Sequence, residues 1–309
     1  MSGAPNPVAA QIRLGDERSA AGNDDVACYH YRTALRLAQL LDLPTAEVEQ
    51  ARQALATIET RNAAKREGRL SQRGLPAGKR SAGLKQALEI AAGTKRHYVQ
   101  EPTCFTYPGL PSIQFFDTAQ FEWAPAMEAS TSTIRAEFVD FLQDQGHADF
   151  RAYIQDHTVA PEADQTLKGS KDWSVLSLCE NGWLAPKIVE HFPKTWETVL
   201  RAPMPRIAGW GPTVVFSLLR AGARIAPHTG MFNTRLICHL PLIVPEGCEF
   251  RVGNEVRQWE EGKLIIFDDT IEHEARNDSS QDRIVLIFDV WRPELTEQER
   301  YELTALFSD

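Results

Sequence analysis

Five residues in the last third of the chain have the types and spacing to do chemistry together. His228 follows Ala226-Pro227, and His239 lies eleven residues on, inside the apolar run Leu236-Ile237-Cys238-His239-Leu240. His273 comes shortly after Phe267-Asp268-Asp269, and Arg283 ten residues later. Neutral imidazole is a good ligand for a divalent metal such as Fe(II), and two histidines on neighbouring strands of a small barrel can face one cavity. A buried arginine suits an anion in that cavity, because its planar fork holds a carboxylate bidentately and does not deprotonate. Taken singly, each residue has a plainer use. A histidine in a β-rich chain is more often a hydrogen-bonded structural residue, Arg283 has Asp278 and Asp282 nearby as salt-bridge partners, and the Ser217 hydroxyl can bond neighbouring backbone. The joint pattern is what points to a metal.

A non-haem iron site ordinarily adds a carboxylate to two histidines, here anticipated two residues after the first. That position is Gly230. Asp268, Asp269, Glu272 and Glu274 surround the second histidine, but in a regular strand Glu272 and Glu274 point away from the face that carries His273. From the residues alone, either there is no iron site or water fills the third position.

These side chains need a scaffold. From Thr213 onward short apolar runs (214–219, 236–244, 250–252, 264–267 and 284–290) alternate with turns such as Pro245-Glu246-Gly247 and Glu260-Glu261-Gly262, which predicts a sandwich or barrel. Upstream, a helix is expected over 130–145, and between His97 and Pro125 prolines and aromatics alternate as the irregular entry to a domain. The first twenty or so residues read as loose. From Asp24, Val26, Tyr29, Ala34, Leu37, Leu40 and Leu41 recur at helical spacing, Leu43-Pro44 breaks the pattern, and Val48, Ala51, Leu55 and Ile58 define a second helix. With Tyr31-Arg32-Thr33-Ala34-Leu35 this is like one tetratricopeptide hairpin, which needs a neighbour to cover its apolar face; a third helix over 84–92 is expected to supply it. Residues 68–83 read as an exposed basic connector. Two domains follow: a helical region over 1–97 and a β domain over 98–309.

Composition narrows the function classes. The chain has 309 residues, 43% of them hydrophobic, enough for a proper core. A net charge of -9 argues against nucleic acid as the main partner. The basic cluster Arg61, Lys65, Arg66, Arg69, Arg73, Lys79, Arg80 and Lys85 is read as a solvated helix face or linker. Cys28, Cys104, Cys179, Cys238 and Cys248 are odd in number and contain no CxxC, so neither a disulfide framework nor a zinc ribbon is expected. No apolar run approaches a membrane span and Met1–Gly22 lacks a signal-peptide pattern, so a cytoplasmic location is expected.

His228-Thr229-Gly230, with Asn233, Arg235 and His239-Leu240, resembles the aspartyl/asparaginyl β-hydroxylase family. So does Trp259-Glu260-Glu261-Gly262-Lys263 running into Ile266-Phe267-Asp268-Asp269, and the match continues through Glu272-His273-Glu274, Arg283 and Asp289-Val290-Trp291-Arg292-Pro293-Glu294-Leu295. A looser likeness extends back through Pro108-Gly109-Leu110. The resemblance implies a 2-oxoglutarate oxygenase fold, a double-stranded β-helix in an α+β chain, in the order first His, second His, Arg. It implies that His228 and His273 are the whole set of protein ligands to Fe(II) and the catalytic centre, because the family has glycine where the carboxylate would stand. By the same matching, Ser217 and Arg283 hold the distal carboxylate of 2-oxoglutarate, His239 contacts its chelating end, and Arg235 contacts a substrate carboxylate. The animal enzymes carry a second arginine where this chain has Ile237, so one cation at the 2-oxoglutarate end is missing. The expected reaction uses O2 and 2-oxoglutarate to hydroxylate an aspartyl or asparaginyl residue or a related free amino acid, giving succinate and CO2. The alternatives are hydroxylation of a lipid acyl chain, or a non-catalytic anion-binding barrel with a helical adaptor. The helical N-terminus is a candidate surface for a protein partner.

Overall fold

The computed structural model describes residues 6–42, 46–154 and 167–308. Contacts divide the chain into two compact units, Met1–His97 and Tyr98–Asp309.

The first unit is helical: α1 (Pro7–Ala20), α2 (Asp24–Leu40), α3 (Ala46–Gln72) and α4 (Ala82–Ala91). The N-terminus expected to be loose is α1. Asn6 caps it by accepting from the Val8 amide, a proline opens its first turn, and it packs along α2. The face of α2 also differs from expectation. Val26, Tyr29, Leu40 and Leu41 are exposed, while Ala27, Cys28, Tyr31, Ala34 and Ala38 are buried. Of the expected face, Ala34 is buried and Leu37 packs beside its cluster, while the packed stripe sets Tyr31 among small residues. Val48, Ala51, Leu55 and Ile58 of α3 are buried as anticipated. The covering neighbour is α1, since α4 has no fully buried residue. The connector is shorter than expected, because α3 runs through Gly68 to Gln72; the break at Leu43-Pro44 lies outside the described residues. The basic cluster is partly structural. Arg61 and Lys65 both pair with the nearly buried Asp24, at 2.8 and 2.9 Å, and Arg80 is itself buried in a two-pronged bond to Glu67.

The second unit is a β structure with helices on one side. Its elements in order are β1 (Phe115–Phe116), α5 (Ala124–Ala129), α6 (Thr131–Gln145), β2 (Arg151–Ala152), β3 (Trp173–Glu180), β4 (Trp183–Leu184), α7 (Pro186–Val189), α8 (Pro193–Val199), β5 (Val214–Leu219), β6 (Arg224–His228), β7 (Arg235–Ile243), β8 (Cys248–Val252), β9 (Glu255–Arg257), β10 (Ile265–Phe267), β11 (His273–Asn277), β12 (Arg283–Trp291) and α9 (Glu297–Phe307). The strands form two antiparallel sheets. One has the order β1-β10-β7-β12-β5-β3-β2 with β4 beside β3; the other is β6-β11-β8-β9. This is a double-stranded β-helix. The β pattern starts earlier than Thr213, because β3 is an almost wholly buried strand whose apolar residues are interrupted by Ser174 and Ser177; β6, β9 and β11 also lie outside the expected apolar runs.

Strand alternation separates two cores. On the large sheet Phe216, Leu218, Leu236, Cys238, Leu240, Leu286 and Phe288 face outward against Ile134, Phe138 and Phe141, which recur on one face of α6, and against Phe192 and Val199 around α8. Gly146, at a positive φ that favours glycine, ends α6. The intervening residues face the small sheet, where Leu219, Phe250, Val252, Phe267 and Ala275 form the second core. A single truncation in either cluster, Phe216→Ala for instance, costs about 3–5 kcal/mol on general grounds.

Candidate active site

The site is the polar part of that second, inward face. Ser217 lies between outward Phe216 and Leu218, and His239 between outward Cys238 and Leu240, so strand period alone turns both inward. The register sets Leu219 opposite Arg283 and Val285 opposite Ser217 on β5–β12, and Ile287 opposite His239 on β12–β7. Arg283, Ser217 and His239 therefore share one face of the large sheet. The small sheet supplies the histidine pair. His228 ends β6, His273 opens β11, and the two are direct partners across the antiparallel pair, with ring centroids 4.1 Å apart. The register shifts just after His273, a local irregularity at the point where the imidazole is aimed.

Each imidazole has its tautomer fixed by backbone. His228 Nδ1 lies 2.8 Å from the Ala226 carbonyl and His273 Nδ1 3.1 Å from that of Ile271. A carbonyl only accepts, so Nδ1 carries the proton and the lone pair is on Nε2, the state a metal requires. Burial, with His228 beside it, pushes the His273 pKa well below the ordinary histidine value. His239 is held neutral too, by burial first and the nearby Arg283 charge second. Trp259 Nε1 donates to His239 Nδ1 at 3.3 Å, so the His239 proton sits on Nε2 as a donor.

Arg283 is the electrostatic centre. It is 1% exposed, its Nη2 donates to Ser217 Oγ at 3.1 Å, and its guanidinium lies 4.7 Å from the Trp259 ring centroid. Among the described residues no carboxylate pairs with it, and Nε has no hydrogen-bond partner. The plainer salt bridges do not form: Asp278 pairs with Arg224 and Arg276, and Asp282 with Arg220. Ser217 Oγ accepts from Trp173 Nε1 as well, at 3.3 Å. Burial lowers the Arg283 pKa to about 10, still charged at neutral pH. An unpaired buried guanidinium is costly unless an anion comes to it.

At the other end of β12 the residues are already paired. Arg235 Nη1 donates to the fully buried Asp289 Oδ2 at 2.7 Å, and Asp289 Oδ1 accepts from the Thr213 amide at 2.7 Å. Among the described residues, Nη2 and Nε of Arg235 make no hydrogen bond, so one edge of its fork is uncommitted. Ile237 lies on the same inward row, opposite Phe267 and Asp289, and is partly buried beside the second core. Glu272 and Glu274 do share a face, both bonded to Arg251 on the adjoining strand.

Some groups near the site carried no assigned role in the sequence. A Cβ on Gly230 would overlap the carboxylate of Asp269, so the glycine leaves room for an acid from another loop. Asp269 is buried, and burial, only partly offset by Arg235, raises its pKa to about 7. Tyr153 stacks on Trp173 at 4.1 Å, and Trp173 lies 6.0 Å from the His228 ring. Asp289 was the most legible of these, a lone acid in the apolar run 284–290; Asp269 becomes significant only when the loops meet. Among the described residues there is no cluster of three or more His, Cys, Asp and Glu able to hold a metal.

Comparison with known proteins finds similarity over the β unit. A family model described as aspartyl/asparaginyl beta-hydroxylase matches residues 128–293, which include every candidate residue above. The chain is 40% identical over 144 residues to the human aspartyl/asparaginyl beta-hydroxylase, covering 46% of this chain and 19% of that protein. It is 33% identical over 190 residues to the ornithine lipid ester-linked acyl 2-hydroxylase of Rhizobium tropici, covering 60% of this chain and 63% of that one. It is also 42% identical over 221 residues to the human aspartate beta-hydroxylase domain-containing protein 1, covering 68% and 52% respectively. The chain thus spans less than two thirds of the length of each of these relatives. The barrel fold and these matches place the chain among double-stranded β-helix proteins whose relatives are named hydroxylases. More narrowly, the chain belongs to the aspartyl/asparaginyl β-hydroxylase family.

Proposed function

We propose that the β unit is an Fe(II)- and 2-oxoglutarate-dependent dioxygenase that hydroxylates a C–H bond of an aspartyl or asparaginyl residue or a related amino acid. The observation that carries this is the pairing of two tautomer-fixed histidines with a buried arginine that lacks a carboxylate. The histidine pair and the arginine lie on the facing sheets of one barrel.

The residues fit the groups. His228 and His273 would hold Fe(II) through Nε2, with water completing the positions that Gly230 leaves to no protein ligand. When bound, the iron supplies O2 activation coupled to decarboxylation of 2-oxoglutarate to succinate. Arg283 and Ser217 would take the distal carboxylate, and the Nε2–H of His239 would donate to the end nearer the metal. Phe250, Trp259 and Phe267 pack around His239 and exclude water from the cosubstrate side. Arg235, with one fork edge uncommitted, would receive the substrate carboxylate. Lipid acyl hydroxylation is the second reading, favoured by the Rhizobium relative. No described helix is long and apolar enough to cross a membrane.

The test is direct. Protein purified without oxygen is given Fe(II) and 2-oxoglutarate, then air, and succinate is measured while peptides, amino acids and lipids are screened by mass spectrometry for products heavier by one oxygen atom. His228→Ala and His273→Ala should both abolish coupled turnover; unchanged succinate in either variant removes the assignment.

A further inference from the structure

Beside Arg235 lies a small cavity of about 30 Å³, walled by Ile207, Trp210, Phe232, Arg235, Trp291 and Phe307. Arg235 is common to this cavity and the proposed substrate site: it lines the cavity, lies 5.5 Å from the Phe232 ring centroid, and bonds Asp289 on the inward face of β12. Trp291 is opposite Arg235 in the register and closes the same end of the strand pair.

The ring that limits this cavity comes from the end of the chain. Phe307 closes α9 and meets Trp210 at 4.4 Å, Phe105 at 5.1 Å and Phe232 at 6.0 Å between centroids. Its helix is fixed. Thr296 and Glu299 form a reciprocal cap, Tyr107 donates to Glu299 at 2.8 Å, Arg300 donates to the Arg292 carbonyl at 3.0 Å, and Leu303 is buried. Phe307 is a partly buried ring on a fixed helix, and it lines the same small cavity as Trp210 and Arg235, so its size limits what can lie next to that cation.

We infer that Phe307 sets substrate specificity. The Trp210–Phe232–Trp291 pocket receives the group that neighbours the carboxylate held by Arg235, and Phe307 leaves room for about one methyl group. The preferred substrate is therefore an aspartyl unit with a small apolar neighbour. The inference rests on the reading of the barrel as a hydroxylase. One methylene in an apolar pocket changes kcat/KM by about 10–200-fold, so the gauge is sharp enough to be read kinetically.

The experiment uses the full chain as wild type, Phe307→Leu and Phe307→Ala, with N-acetyl-Asp-X-amide and N-acetyl-X-Asp-amide probes in which X is Gly, Ala, Val, Leu or Phe. Substrate-dependent succinate formation is measured for each. In parallel, calorimetry tests whether toluene enters the metal-free proteins, a readout independent of turnover. Wild type should prefer Ala over Phe at X by tenfold or more and exclude toluene. Phe307→Ala should reverse the order and bind toluene, with Phe307→Leu between. An unchanged order in Phe307→Ala overturns the inference even if toluene binds, because the opened space then lies outside the substrate path. A uniform loss across X overturns it as well, since Phe307 is then structural only. His228-dependent succinate that no probe stimulates overturns the aspartyl premise and with it the inference, but leaves the oxygenase reading standing. Absence of His228-dependent succinate overturns both.

Discussion

Gly230 is where an absence does the most. A carboxylate there would complete a conventional iron triad, but the space its Cβ needs holds the carboxylate of Asp269. Gly230→Ala should therefore lower stability by about 1–3 kcal/mol through overpacking, and Gly230→Asp should not create a third metal ligand. Adding Asp269→Ala should recover most of the loss, and a double-mutant cycle on thermal unfolding checks the coupling. Asp269 also carries a pH signature. Its folded pKa of about 7 lies above the unfolded value of 3.8, so the folded state binds the extra proton between them. Stability from this group is fully present below pH 4 and is lost as pH rises toward 7. In the metal-free protein, Asp269→Asn should flatten the fall in melting temperature over that window. Arg283 gives the opposite kind of test. With no anion partner in the protein, its buried charge is a liability until cosubstrate arrives. Arg283→Met should leave the metal-free fold as stable as wild type or more so by about 1–3 kcal/mol, while weakening 2-oxoglutarate binding at least 100-fold. If equilibrium denaturation shows the variant less stable, the claim of an uncompensated charge fails.

At the scale of elements, strand register carries the argument. His228 and His273 are forty-five residues apart in sequence and meet because β6 and β11 are neighbours with those two residues paired. Arg251 flanks the pair on β8, gripping Glu272 and Glu274 on either side of His273 and bonding the Gly253 carbonyl at 2.8 Å. Arg251→Ala should leave a folded barrel but loosen the start of β11, weakening Fe(II) binding by about 10-fold, as measured by metal titration of the apo protein. In the helical unit the comparable contact is between α1 and α2. Gly15 faces the Tyr31 ring, which an added Cβ would approach to 2.6 Å, and the Tyr31 hydroxyl donates to Asp16 at 2.6 Å. Gly15→Ala is expected to destabilise this unit despite the higher helix propensity of alanine.

For the molecule as a whole, two separate hydrophobic cores in the barrel and two small clusters among α1, α2 and α3 make the halves independently packed bodies. Denaturation monitored by far-ultraviolet circular dichroism should show Gly15→Ala shifting an early transition and leaving the barrel transition in place. A fragment of residues 98–309 should retain coupled succinate formation, because every proposed ligand lies within it. Loss of activity in a folded fragment would instead give the helices a part in the site.

By itself the sequence determined the barrel and the strands that carry Ser217, His239 and Arg283, but not β6 and β11, which carry His228 and His273. Alternation around Ser217, His239 and Arg283, turn residues between short apolar runs, and motifs from His228 to Arg292 are local signals, written in neighbouring residues. β3 escaped because Ser174 and Ser177 interrupt its apolar residues, and on α2 the expected Ala34 and Leu37 do pack while Val26, Tyr29 and Leu40 are exposed. Tertiary structure decided which charges are spent and which are not. Asp289 engages one edge of Arg235, Asp269 fills the space at Gly230, and Arg283 is left without a carboxylate. Such pairings depend on separations in space of a few ångströms between residues far apart in the chain, and no spacing along the sequence encodes them.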